Sequence, residues 1–124
     1  MSAFAEVSTA DFKGSAEHKG KEIAVHLQGN ADVTAPPALD ELIGKIHTEA
    51  NRHSISEAVI DIRDLEFMNS SSFKTLISWI MQIKELEQDQ RYRLRFLSNP
   101  EQPWQKRSLE TLRCFADDLI FVGR

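Results

Sequence analysis

The stretch AVIDIRDLEFMNSSSFKTLISWIMQIKEL, Ala58–Leu86, changes its hydrophobic period part-way along. Val59, Ile60 and Ile62 form a short β-branched apolar run, which predicts a strand covered on both faces. From Phe73 the apolar positions recur at three- and four-residue steps. Phe73, Leu76, Ile77, Ile80 and Ile83 then share one helical face, with Lys74, Ser78, Gln82 and Glu85 opposite. Between the two periods lie Asn69, Ser70, Ser71 and Ser72, residue types whose side chains cap the free N–H groups of a first helical turn. A strand feeding a helix through such a loop brings backbone donors and the positive helix end together, a frequent place for function.

Upstream, Phe4–Val7 predicts a short strand, Lys13–Glu22 a polar turn with two glycines, and Ile23–Leu27 a strand with Ile23, Val25 and Leu27 on one face. The simplest arrangement of these is an antiparallel hairpin. Gly29, Asn30, Ala31 and Asp32 read as a loop, with Thr34 as helix N-cap and Pro36 and Pro37 in the first turn, where a missing N–H costs nothing. Leu39, Leu42, Ile43, Ile46 and Ala50 carry that helix's apolar stripe, and Gly44 lies off it. Downstream, Gln88–Gln90 predict a polar turn and Tyr92, Leu94, Phe96 and Leu97 a strand. Pro100 and Pro103 lead into a third helix with Leu109 and Leu112 buried, and Leu119–Val122 closes the chain as a strand. The order β-β-α-β-α-β-α-β predicts an α/β fold: one domain over residues 1–124, with a mostly parallel sheet, an N-terminal antiparallel hairpin and helices packed on it.

Composition narrows the function classes. The apolar fraction of 41% and charged fraction of 27% suit a soluble globular chain, and 124 residues suffice for one core. A net charge of −4 argues against nucleic acid as the main partner. The single cysteine, Cys114, forms no internal disulfide, and neither a signal-peptide pattern nor a long apolar run is present, so a cytoplasmic protein without direct membrane insertion is expected.

Catalytic and metal motifs are sparse. His18, His26, His47 and His53 lack the close spacing of a metal site, and HExxH, CxxC, GxSxG, Walker and GxGxxG sequences do not occur. No cofactor, metal or nucleotide is expected. Asp61 sits inside an apolar strand and Asp64 and Glu66 follow it, whereas a phospho-acceptor domain would place acids at strand ends. The first strand-to-helix loop offers only Asp32, no paired acids precede it to chelate magnesium, and the cluster reads as loop-exposed carboxylates. Trp79 and Trp104 are too scattered for base stacking and read as core-edge packing. Ser70–Ser72 admit two readings. Capping is worth about 1 kcal/mol. Phosphorylation would add nearly two charges at a helix end that tolerates them.

DLEFMNSSSF, Asp64–Phe73, resembles the phosphorylation-site segment of STAS domains of the bacterial anti-sigma-factor antagonist type, which has the form D-L-x-F-M-D-S-S-G-L. Gly29-Asn30-Ala31-Asp32 resembles the family's G-x-L-D loop, Val59-Ile60-Asp61-Ile62 the strand leading to the site, and Ser108–Val122 the closing helix and strand. The resemblance implies a non-enzymatic partner switch. An unphosphorylated antagonist binds an anti-sigma factor that is a serine kinase, phosphorylation releases it, and a serine phosphatase reverses the mark. Ser70 matches the acceptor and Ser71 the second serine. Gly29, Asn30, Asp32, Asn69, Ser72 and Lys74 fall on the implied partner surface. Three positions depart from the pattern. Asn69 replaces an acid, Ser72 a glycine and Lys74 a small residue, and Lys74 brings a cation that can pair with a phosphate at Ser70 or Ser71.

Two other functions fit the sequence. One is a constitutive STAS-like scaffold subunit of a larger complex, including membrane-associated lipid-transport machinery. The other is a small enzyme or ligand-binding α/β domain using Asp32, Asp61 or Asp64. Helical phase counted back from Phe73 favours Ser71 as the outward hydroxyl, whereas a helix boundary at Asn69 or Ser70 frees the choice and the family match favours Ser70.

Overall fold

Residues 3–123 are described by a computed structural model of the chain. Strand β4 (Glu57–Met68) runs through a six-stranded sheet. On one side stand β3 (Glu22–Ala31), β2 (Phe12–Lys19) and β1 (Ala5–Ser8), and on the other β5 (Arg93–Leu97) and β6 (Ile120–Val122), so that spatial order follows chain order. β1, β2 and β3 are antiparallel neighbours, and β3 through β6 are parallel. Helices α1 (Pro36–His53), α2 (Ser70–Lys84) and α3 (Pro103–Phe115) make the three parallel crossovers.

Successive crossovers of one hand that always step to the next strand lay every helix on the same face of a sheet. Burial alternates accordingly. Ile23, Val25 and Leu27 of β3, Ala58, Ile60 and Ile62 of β4, and Leu94 and Phe96 of β5 are buried against the helices. Val59 and Asp61, pointing the other way, are only half-buried. The expectation of a central strand covered on both faces is therefore corrected to cover on one face. Val59 looks like a core residue because Ala24 and Arg95 flank it on the open face.

The expected hairpin is a three-stranded antiparallel unit. Lys13–Glu22 is mostly strand β2 rather than a turn, and it separates the two strands read from the sequence. Its inward residues are Phe12, Gly14 and Ala16, two of them too small to announce a strand. Their size answers α1, since a Cβ on Gly14 would stand 2.8 Å from a Leu42 methyl.

α1 buries the stripe Leu39, Leu42, Ile43, Ile46 and Ala50 as read, with Pro36 at its start. Its N-cap is Ala35 rather than Thr34, because the Thr34 hydroxyl donates to Asp32 instead, at 2.6 Å. α2 is rotated slightly from the expected phase. Its buried residues are Ser72, Leu76, Trp79, Ile80 and Ile83, while Phe73 and Ile77 are half-buried. Trp79 is thus a core residue, held by its indole N–H donating to the Tyr92 hydroxyl at 2.8 Å.

β4 outruns β5. Their pairing ends at Asp61 and Leu97, whereas β4 stays paired to β3 as far as Met68, with two register shifts. Such irregularities bend a strand and re-aim its end. Gln105 of α3, fully buried, takes over from the missing ladder by donating to the carbonyls of Ile62 and Leu65 at 2.8 and 2.9 Å. This extended tip carries the chain into α2.

Candidate functional site

The parallel ladder ends where the Asn69 N–H donates to the Ala31 carbonyl at 2.9 Å. Asn69 is extended, with ψ 174°, and its side-chain oxygen accepts from the Ser72 N–H at 3.1 Å and the Ser71 hydroxyl at 2.9 Å. An amide oxygen makes these bonds as a carboxylate would, so the missing acid does not cost the cap.

That cap gives the three serines different environments. Ser70 is exposed, and among the described residues its hydroxyl makes no hydrogen bond. Ser71 is half-buried with its hydroxyl spent on Asn69. Ser72 is 0% exposed, and its hydroxyl donates to the Asp32 carbonyl at 3.3 Å. Ser72 is therefore not part of an outer docking surface; it ties α2 to the β3–α1 connection.

Ser70 opens on a shallow depression lined also by Met68, Asn69 and Phe73 and by Arg107, Ser108 and Thr111 of α3. Lys74, though exposed, lines a separate depression with Pro36, Pro37 and Asp40 of α1. The cation sharing a surface with Ser70 is Arg107. Local spacing carried no signal for it, because it arrives on another helix.

The Gly29–Asp32 segment is less a loop than expected: Gly29, Asn30 and Ala31 belong to β3, and the chain leaves the sheet at Asp32. Gly29 has φ +92°, and a Cβ there would collide with the Asp11 carbonyl. Its place near the site reflects backbone geometry. Asn30 pairs with Phe67, and its N–H donates to the Asp11 carbonyl at 2.7 Å. Asp32 accepts from the Thr34 hydroxyl and N–H, which holds its carboxyl below the usual range. Two large apolar side chains stand out at this end of the sheet, Val33 at 75% and Phe67 at 47% exposure.

The acids do not assemble a reaction centre. Asp32 is engaged by Thr34, Asp61 by a two-point contact with Arg63 that lowers its pKa, and Asp64 by His26 at 2.9 Å. Glu66 is exposed.

No protein-family model matches the chain, and no curated protein matches it in sequence. Solved structures do match in shape. An anti-sigma factor antagonist from Mycobacterium paratuberculosis is 17% identical with TM-score 0.66, over 93% of this chain and 89% of that one. The antagonist SpoIIAA in its unphosphorylated form is 16% identical with TM-score 0.59, over 90% and 87%. The Bacillus cell fate determinant SpoIIAA in its phosphorylated form is 16% identical with TM-score 0.61, over 90% and 91%. The fold is that of the anti-sigma factor antagonists.

Within this fold, the resemblance read from Asp64–Phe73 falls on the tip of β4 and the first turn of α2. Among the described residues, no helix is long and apolar enough to cross a membrane.

Proposed function

We propose that the protein is a regulatory switch of the anti-sigma factor antagonist type, acting in the cytoplasm as the substrate of a serine kinase rather than as an enzyme. Ser70 is the phospho-acceptor, with Ser71 the alternate. The partner is an anti-sigma factor with kinase activity, and a serine phosphatase reverses the mark. The observation carrying this reading is the contrast within the serine cluster: Ser70 is exposed with an uncommitted hydroxyl, while its neighbours are bonded inward.

The docking face consists of Ser70, Asn30 at the end of β3, Asp32 and Val33 in the turn that follows it, exposed Phe67 and the rim of α2 with Asn69 and Lys74; Gly29 shapes this face from within the sheet. Exposed apolar residues beside a polar switch suit a protein partner. A phosphate on Ser70 adds charge and bulk to that face, while the helix N-terminus and Arg107 accept it locally. The similarity of the chain to both the unphosphorylated and phosphorylated forms of SpoIIAA supports a modification that leaves the fold intact.

Phosphopeptide mapping of the protein recovered from its own cells tests this. Phosphate on Ser70, none on Ser72, and release of the partner on phosphorylation are expected. Absence of phosphate from both Ser70 and Ser71, with equal partner capture by wild type, Ser70→Ala and Ser70→Asp, would replace the switch by a constitutive subunit.

A further inference from the structure

At the other end of the sheet from Ser70, the C-terminal turns of α1 meet the end of β2. There His18 Nδ1 lies 3.0 Å from Glu49 Oε2, and His53 Nε2 lies 3.4 Å from the same oxygen. The three donor atoms all fall within 4.8 Å of one another. Glu49 and His53 are one helical turn apart on α1, and His18 comes from 31 residues earlier, so no local spacing signals the group.

We propose that His18, Glu49 and His53 bind a divalent transition-metal ion, with Zn²⁺ the best match. Ligands at 2.0–2.1 Å around tetrahedral zinc are separated by about 3.3 Å, close to the spacing of both imidazole–carboxylate pairs. The tautomer of His18 is fixed from outside the group: Nε2 lies 2.9 Å from the Gly20 carbonyl, which only accepts, so Nε2 carries the hydrogen. Metal-ligating histidines characteristically donate their second nitrogen to a carbonyl in this way. With that hydrogen on Nε2, a metal at Nδ1 would be shared with the Glu49 carboxylate oxygen 3.0 Å away, the ring staying neutral.

Protons alone require an imidazolium at His18 and a further N–H from His53 on the same oxygen, with the ring centroids 4.9 Å apart. One divalent ion satisfies all three donors with both rings neutral. Two imidazoles and one carboxylate suit zinc rather than magnesium or calcium, which prefer all-oxygen shells. His53 is exposed, leaving the fourth position open to water or to a donor from a partner. The ion would clamp the β2–β3 hairpin to the end of α1, away from the switch surface.

The test uses untagged full-length protein freed of metal by chelation, titrated at neutral pH with Co²⁺ as a coloured probe and then with Zn²⁺ in competition. One equivalent of tetrahedral Co²⁺ displaced by Zn²⁺, and a thermal midpoint raised by Zn²⁺ but not by Mg²⁺ or Ca²⁺, are expected. Glu49→Gln and His53→Asn should each weaken Zn²⁺ binding at least about tenfold, as loss of a ligand or its support does. His26→Asn should leave it unchanged. His53 is an exposed residue in the last turn of α1, so His53→Asn tests the site without risking the fold. Absence of saturable uptake by wild type, or undiminished uptake by the His53→Asn and Glu49→Gln variants, overturns the proposal.

Discussion

The hydroxyl of Ser72 donates to the main-chain carbonyl of Asp32 across 3.3 Å, joining the first turn of α2 to the turn that follows β3. This carbonyl also accepts the Ala35 N–H at 3.0 Å, so it stays paired when the hydroxyl is removed. Ser72→Ala should therefore cost only about 0.5–1.5 kcal/mol. Ser72→Leu forces volume into a closed site and should cost more, about 1–3 kcal/mol. Urea denaturation of the two variants measures the difference. Equal stability of Ser72→Leu and wild type would mean that the position opens to solvent.

Gln105 carries a larger share of the same region. Its side chain donates to the Ile62 and Leu65 carbonyls, and its oxygen accepts the Asn99 N–H at 2.8 Å. Gln105→Leu keeps the packing volume but strands these groups in a buried place, where each unpaired group costs about 1–3 kcal/mol. A total loss of roughly 2–5 kcal/mol is expected after partial relaxation. Hydrogen exchange should localise the damage to amides of β4 beyond Asp61. Uniform loss of protection across the sheet would instead make Gln105 a general packing residue.

A second network links α1, α2 and Tyr92, the residue before β5, and makes stability depend on pH. The Tyr92 hydroxyl accepts the Trp79 indole N–H and has one hydrogen, which it donates to His47 Nδ1 at 2.6 Å. Burial raises the Tyr92 pKa well above its usual value, so this donor persists. His47 must then be neutral with its hydrogen on Nε2, and burial lowers its pKa from 6.5. The unfolded chain takes up this proton near 6.5 and the folded chain only below it, so the unfolded state binds more protons in between. The His47 contribution is complete above that value and is lost as the pH falls through the folded pKa. Urea melts at about pH 7.5 and 5.5 should show a smaller acid loss for His47→Gln than for wild type. Identical losses would place the effect elsewhere.

What the sequence discloses depends on whether a residue's neighbours are near in the chain. The switch from strand to helix across Asn69 was legible, because both periods and the cap lie within one short segment. The α1 stripe was legible for the same reason. β2 was hidden, since α1 approaches too closely for a side chain at Gly14, and with the small Ala16 beyond it the hydrophobic alternation is erased. The inward turn of Ser72 and Trp79 depended on distant groups, the Asp32 carbonyl and the Tyr92 hydroxyl. Arg107 and Gln105 reach the site from α3, and no spacing around Ser70 points to them.

Arg107 gives the last prediction, which concerns the electrostatics of a phosphate on Ser70. A phosphoserine has a second pKa near 6, and a guanidinium beside it favours the dianion and lowers that value. Arg107 shares the Ser70 depression, whereas Lys74 borders a different one against α1. Phosphorus NMR titration of protein phosphorylated at Ser70 should therefore show the phosphate pKa rising in Arg107→Gln and changing little in Lys74→Gln. The phosphate should also leave the melt close to that of the unmodified chain, since its interaction with the α2 N-terminus is worth only about 0.3–1 kcal/mol. Ser70→Asp, with one charge and no tetrahedral fork for a guanidinium, should weaken partner capture yet be nearly insensitive to Arg107→Gln. A phosphate pKa that responds to Lys74→Gln and ignores Arg107→Gln would assign the counter-charge to α2 itself, as local helix spacing had suggested.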